Sequence, residues 1–189
     1  MHSWRQPGFW LSTGLVFILG AIVLALGQDT IREMAFTGLM FIGLASSLNI
    51  IMGFTGYVNF GHIVFFGLGG YFGFFLLSEW GLPLYLAALG GGILSGIIAL
   101  IIGLAVLRLR GAYFALATIG VNEAARAFVS NFPPFGGSTG LYVNFSVYEQ
   151  YGGAAQALWF TFTLLWIVTL AAVVVSYLVK HSRFGLGLT

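Results

Sequence analysis

The sequence contains no cysteine. Disulfides, thiol nucleophiles and thiolate metal sites are therefore excluded. Lysine occurs once, as Lys180, so no lysine-bearing phosphate loop can form. Charge is scarce: Asp, Glu, Lys and Arg make up 6% of the 189 residues, where a soluble domain carries about 25%. So few charges cannot cover a globule of this size, and lipid must be the solvent for much of its surface. The net charge of +2 comes from scattered residues with no Lys/Arg run, which excludes a nucleic-acid footprint. His2, His62 and His181 lie far apart and show no metal-ligand spacing, so no metal site is expected.

What the chain does have is apolar length and glycine. Hydrophobic residues account for 59% of it, and 28 residues are glycine. That glycine share is roughly twice the usual value of about 7%, a bias of membrane helices, where glycine lets backbones approach closely. These properties predict an all-α, polytopic transmembrane helix bundle with about six membrane segments, read as one transmembrane domain over residues 1–189. Gly8 to Gly27 is long enough to cross a core of about 30 Å, and Pro7 suits the first helical turn. The run is too long for a signal-peptide core and reads as a retained first helix. Thr30-x-x-Glu33 has the form of a capping box and predicts the start of a second helix.

From Met34 to Ser78 there is no charged residue at all. That is room for two spans of about 20 residues with little left for a loop. Residues 53–62, Gly-Phe-Thr-Gly-Tyr-Val-Asn-Phe-Gly-His, break the helix. The break is either a tight hairpin or a discontinuous helix interrupted inside the membrane, where only protein or a water-filled cavity can cover irregular backbone. Trp80 marks an interface, Pro83 can open the next helix, and Arg108 and Arg110 end it. A fifth segment, Ala112 to about Ser130, carries Asn122, Glu123 and Arg126 and stops at Pro133-Pro134. A sixth runs from Gln156 to Val179. With the N-terminus inside, the inner loops hold Arg5, Arg108, Arg110, Lys180 and Arg183, while Arg32 is the lone base outside. The positive-inside rule thus predicts a cytoplasmic N-terminus and an even number of crossings.

The stretch Leu107-Arg108-Leu109-Arg110-Gly111-Ala112-Tyr113-Phe114-Ala115-Leu116-Ala117-Thr118, with Glu123 beyond it, resembles the permease subunits of branched-chain amino acid ABC importers. So do Gly56 to His62, Phe65-Phe66-Gly67, Gly69-Gly70-Tyr71, Gly136-Gly137-Ser138-Thr139-Gly140 and Ser182-Arg183-Phe184-Gly185, in that order along the chain. The resemblance implies a plasma-membrane subunit of a bacterial or archaeal cell. Its implied partners are a sister permease, cytoplasmic ATPase subunits that use the ATP, and an external substrate-binding protein. No cofactor is expected on this chain, and no enzymatic activity. Family members continue past the Arg-Phe-Gly segment, so the chain is expected to be the N-terminal portion of a longer permease. Ser182, Arg183, Phe184 and Gly185 would lead into the loop that docks on the ATPase.

The substrate class implied is branched-chain or other apolar amino acids, with urea or short amides as the nearest rival. A channel or secondary carrier working without ATP is a second class, in which Glu123 or His62 would carry a proton. An intramembrane hydrolase, with His62 meeting Ser46 or Ser47, is a third. Candidates for the substrate path are Thr118, Asn122, Glu123, Arg126, Asn59 and His62. Glu123 and Arg126, three apart, can pair on one helix face, and charges at their depth normally face a bundle interior or cavity. The bland alternatives are a structural ion pair, a hydroxyl bonded to its own helix at Thr118, and turn hydrogen bonds at Asn59 and His62. Gly69-x-x-x-Gly73 and Gly92-x-x-x-Gly96 favour close helix packing, although such spacings also arise by chance in so glycine-rich a chain.

Overall fold

The computed structural model describes residues 7–142 and 145–180, and among them it contains helices and turns but no strand. The helices are α1 (Pro7–Leu26), α2 (Asp29–Thr55), α3 (His62–Glu79), α4 (Leu84–Val106), α5 (Ala112–Asn131), the short α6 (Phe145–Glu149) and α7 (Ala154–Lys180). Five of these, α1, α2, α3, α4 and α7, are long and apolar enough to cross a membrane. The remaining long helix, α5, matches the expected fifth segment in extent, but Asn122, Glu123, Arg126 and Asn131 make it the least apolar. The polytopic helical bundle is as the composition predicts.

The chain forms two compact units, residues 1–56 with 155–189, and residues 57–154. In the first, α1 runs antiparallel to α7. Phe9 meets Tyr177 edge-on with ring centroids 5.4 Å apart, and further along α1 the Trp166 indole N–H donates to the Val16 carbonyl at 3.0 Å. Gly20 permits this approach, because a side-chain carbon there would collide with the Trp166 ring. The start of α1 and the end of α7 therefore lie at the same end of this unit. α2 runs parallel to α7, with the Thr169 hydroxyl donating to the Leu39 carbonyl at 3.1 Å beside Gly43. Val16, Val23, Leu39, Phe162 and Val173 form the apolar centre.

The expected capping box does not form. α2 starts one residue before Thr30, and its N-cap, Gln28, makes no side-chain cap bond. Asp29 occupies the first turn instead, where a carboxylate favours the positive end of the helix. It accepts from the Arg32 guanidinium at 2.6 Å. Arg32 is buried, also faces Glu33 at 3.9 Å, and lies 4.9 Å from the centre of the Trp159 ring.

In the second unit α3 and α4 form an antiparallel hairpin turned at Gly81, whose φ of +62° is left-handed. Their seam is made of small residues. A side-chain carbon at Gly91 would collide with the Gly69 carbonyl and the Gly73 backbone, and the Ser95 hydroxyl donates to the Phe65 carbonyl. The Gly69–Gly73 expectation holds, but its partner on α4 is Gly91–Ser95, one residue off the expected Gly92–Gly96, both of which face open space. After α5, Pro133–Phe135 and Gly137–Thr139 form two 3-10 turns. They fold Phe135 into a cluster with Tyr71, Phe72, Phe75, Phe128 and Phe132. Residues 136–140 have the Gly-x-Ser-x-Gly spacing of a hydrolase elbow, yet they sit in a turn and not between strand and helix.

Candidate functional site

The break is real. Helix α2 stops at Thr55, Gly56 takes φ +70°, and helix resumes at His62. Within the second unit, residues 57–61 do not form a tight turn beyond the helix ends. The Tyr57 ring packs at a tilt against Phe114, two residues into α5, with centroids 4.8 Å apart. The Phe60 N–H donates to the Thr118 hydroxyl at 3.2 Å, six residues into α5. At 1.5 Å per residue, α3 thus begins about 9 Å along α5. The register of Phe65 against Ser95 also leaves α3 short of the far end of α4 by about 12 Å. Non-helical backbone lies alongside the first turns of α5.

Such backbone needs hydrogen-bond partners. The Gly61 N–H donates to Asn59 Oδ1 at 3.0 Å. Thr118, buried, accepts from Phe60 and donates to the Ala115 carbonyl at 2.8 Å. Thr118 and Asn59 are thus brought together as the support of the break. Gly61 packs against Thr118 so closely that a side-chain carbon would come within 3.0 Å of its carbonyl oxygen. His62 opens α3, half-buried.

Further along the same two helices, a groove of about 240 Å³ opens between α3 and α5. Asn122, Arg126 and Ser130 line one wall and Ile63, Gly67 and Tyr71 the other. Both sets repeat every fourth residue, which places each on one helix face. Glu123 is exposed and does not line the groove. Nor does it pair with Arg126: among the described residues the ion pairs within 4.0 Å are those of Arg32. Both side chains are exposed on α5, where a long-chain pair gains little and stays open to other partners. Of the six expected path residues, the fold assigns Asn122 and Arg126 to the groove and Asn59 and Thr118 to the break, with Glu123 and His62 outside the groove lining. Gly67, Tyr71 and Ser130 were not anticipated. The four-residue spacing of 63, 67, 71 and of 122, 126, 130 is the signal that would have found them. Ser182, Arg183, Phe184 and Gly185 lie outside the described residues.

Among known families, one described as "Branched-chain amino acid transport system / permease component" matches residues 30–189. A relative from Salmonella typhimurium, named high-affinity branched-chain amino acid transport system permease protein LivM, is 28% identical over 127 residues, covering 67% of this chain and 29% of its own length. The protein of that name from Escherichia coli K12 is 28% identical over 122 residues, covering 61% of this chain and 28% of its own. The chain spans under a third of the length of these relatives. No solved structure matches it.

Proposed function

The chain belongs to the permease-component family of branched-chain amino acid transport systems, and from that membership we propose that it forms part of the translocation path of an ATP-driven importer for branched-chain or other apolar amino acids. The observation that carries this is the family match over residues 30–189, which spans the break, the α3–α5 groove and the glycine-rich turns together. The chain is a multi-pass membrane protein and a transport subunit. Import of a small zwitterion needs a path with alternating access, not a reactive centre, and the candidate path residues are Asn59, His62, Thr118, Asn122, Glu123 and Arg126.

In this proposal a sister permease completes the path, cytoplasmic ATPase subunits bind and hydrolyse ATP, and an external binding protein delivers substrate. The chain itself binds no cofactor. Its membrane is the plasma membrane of a bacterial or archaeal cell, with the N-terminus and residues 180–189 cytoplasmic. Ser182, Arg183, Phe184 and Gly185 then lead toward the ATPase. The test is reconstitution of the permease with its partners in vesicles, with leucine uptake and ATP hydrolysis measured together. Leucine uptake should require ATP. Phe184→Ala should preserve assembly and hydrolysis while uptake falls. Uptake in vesicles lacking the ATPase would overturn the ATP-driven reading, and uptake of urea in place of leucine would overturn the substrate class.

A further inference from the structure

Two arginines within helices of this chain stand in opposite situations. Arg32 is buried and neutralised, by Asp29 at 2.6 Å with Glu33 and the Trp159 ring nearby. Arg126 is exposed, has no acidic partner within 4.0 Å among the described residues, and lines the α3–α5 groove. It lies five residues before the end of α5, about 7.5 Å along the helix axis. An uncompensated guanidinium in a groove calls for an anion, and its planar fork of donors matches a carboxylate with two parallel hydrogen bonds.

The rest of the lining suits the remainder of a small apolar amino acid. Asn122 and Ser130 sit one turn to either side of Arg126 and offer an amide and a hydroxyl. Ile63, Leu68 and Val129 supply apolar surface. Gly67 presents no side chain, and nothing lies within 4 Å of where one would begin, so the wall opposite Arg126 stays open. A volume of about 240 Å³ falls just under the roughly 300–1,000 Å³ of pockets for drug-sized ligands, which is the right scale for one amino acid.

We propose that the α3–α5 groove is a carboxylate-reading site for a small apolar amino acid, with Arg126 binding the carboxylate and Ile63, Leu68 and Val129 receiving the side chain. This rests on the transport reading above. The competing account is that Arg126 only reaches toward lipid headgroups from the helix end, and it predicts no ligand dependence.

The native chain has no cysteine, so Ser130→Cys introduces a lone thiol at the groove. The permease is assembled with its partners in vesicles, and the rate of thiol modification by a methanethiosulfonate reagent is measured with millimolar L-leucine or leucinamide. Leucine should slow the reaction severalfold and leucinamide, which lacks the carboxylate, should not. Arg126→Gln should abolish the protection and Arg126→Lys should retain part of it. Gly67→Leu, which leaves the Arg126 guanidinium in place but adds an apolar side chain to the groove, should also remove it. An unchanged rate with leucine, in vesicles that do take up leucine, overturns the groove assignment and leaves the transport reading standing. Equal protection by leucine and leucinamide overturns the carboxylate assignment. Protection by leucine in vesicles that take up no amino acid overturns the transport reading and supports the groove.

Discussion

Gly90, Gly91 and Gly92 are identical in sequence and have three different surroundings. A side-chain carbon at Gly90 would meet only the flexible end of Leu76, one at Gly91 would run into the backbone of Gly69 and Gly73, and one at Gly92 would meet nothing. Gly91→Ala therefore has to push two helices apart, at a cost of about 1–3 kcal/mol, the range for overpacking. Gly92→Ala should stabilise the chain by roughly 0.5–1 kcal/mol, because alanine loses less backbone freedom in a helix than glycine does. Thermal unfolding of the two variants in detergent checks both signs. Equal melting temperatures would mean that the α3–α4 seam does not run through Gly91. The Gly92-x-x-x-Gly96 spacing fails as a guide because a run of glycines satisfies several registers. What selects one is a contact across the seam, where Ser95 reaches the Phe65 carbonyl.

At the scale of elements, α5 is the helix whose sequence and placement agree on a role. It holds the non-helical stretch 57–61 against its first turns and the groove residues further along. The hydroxyl of Thr118 joins the two, accepting from Phe60 and donating to its own helix. Thr118→Val keeps the shape and removes the acceptor. It leaves the Phe60 N–H without that partner, a loss of about 1–3 kcal/mol, whereas Thr118→Ser should stay close to wild type. The measurement is thermal stability of each variant, and a valine variant as stable as wild type would show that the break does not depend on this bond. The helix boundaries were legible, because proline, glycine and charge mark them in the chain. The capping box was not, because Asp29 competes for the first turn and brings Arg32 with it. The aromatic cluster at Phe135 was not legible either: it gathers residues from α3, α5 and the turn that follows, and no local pattern links them.

At the scale of the whole molecule, topology is the prediction that matters. Phe9 packs on Tyr177, so the start of α1 and the end of α7 share one end of their unit. In the orientation proposed from the charge pattern, this end is the cytoplasmic one. Cysteines placed singly at Ser3 and Ser182 should be protected together from an impermeant thiol reagent in whole cells, and one at Ser138 should be labelled. Labelling at 182 but not at 138 would reverse the orientation. By itself the sequence determined the solvent, the number of long helices to within the ambiguity of α5, their boundaries to within a residue or two, and the location of the break, because each follows from hydropathy, chain length and local backbone preferences; the short α6 was not legible. The tertiary structure alone decided which glycines form the α3–α4 seam, that among the described residues Arg32 is paired with an acid while Arg126 is not, that the break runs alongside α5, and that Gly67, Tyr71 and Ser130 share a groove with Asn122 and Arg126. These depend on contacts between residues tens of positions apart, where packing and electrostatics select among registers that the local sequence leaves equally open.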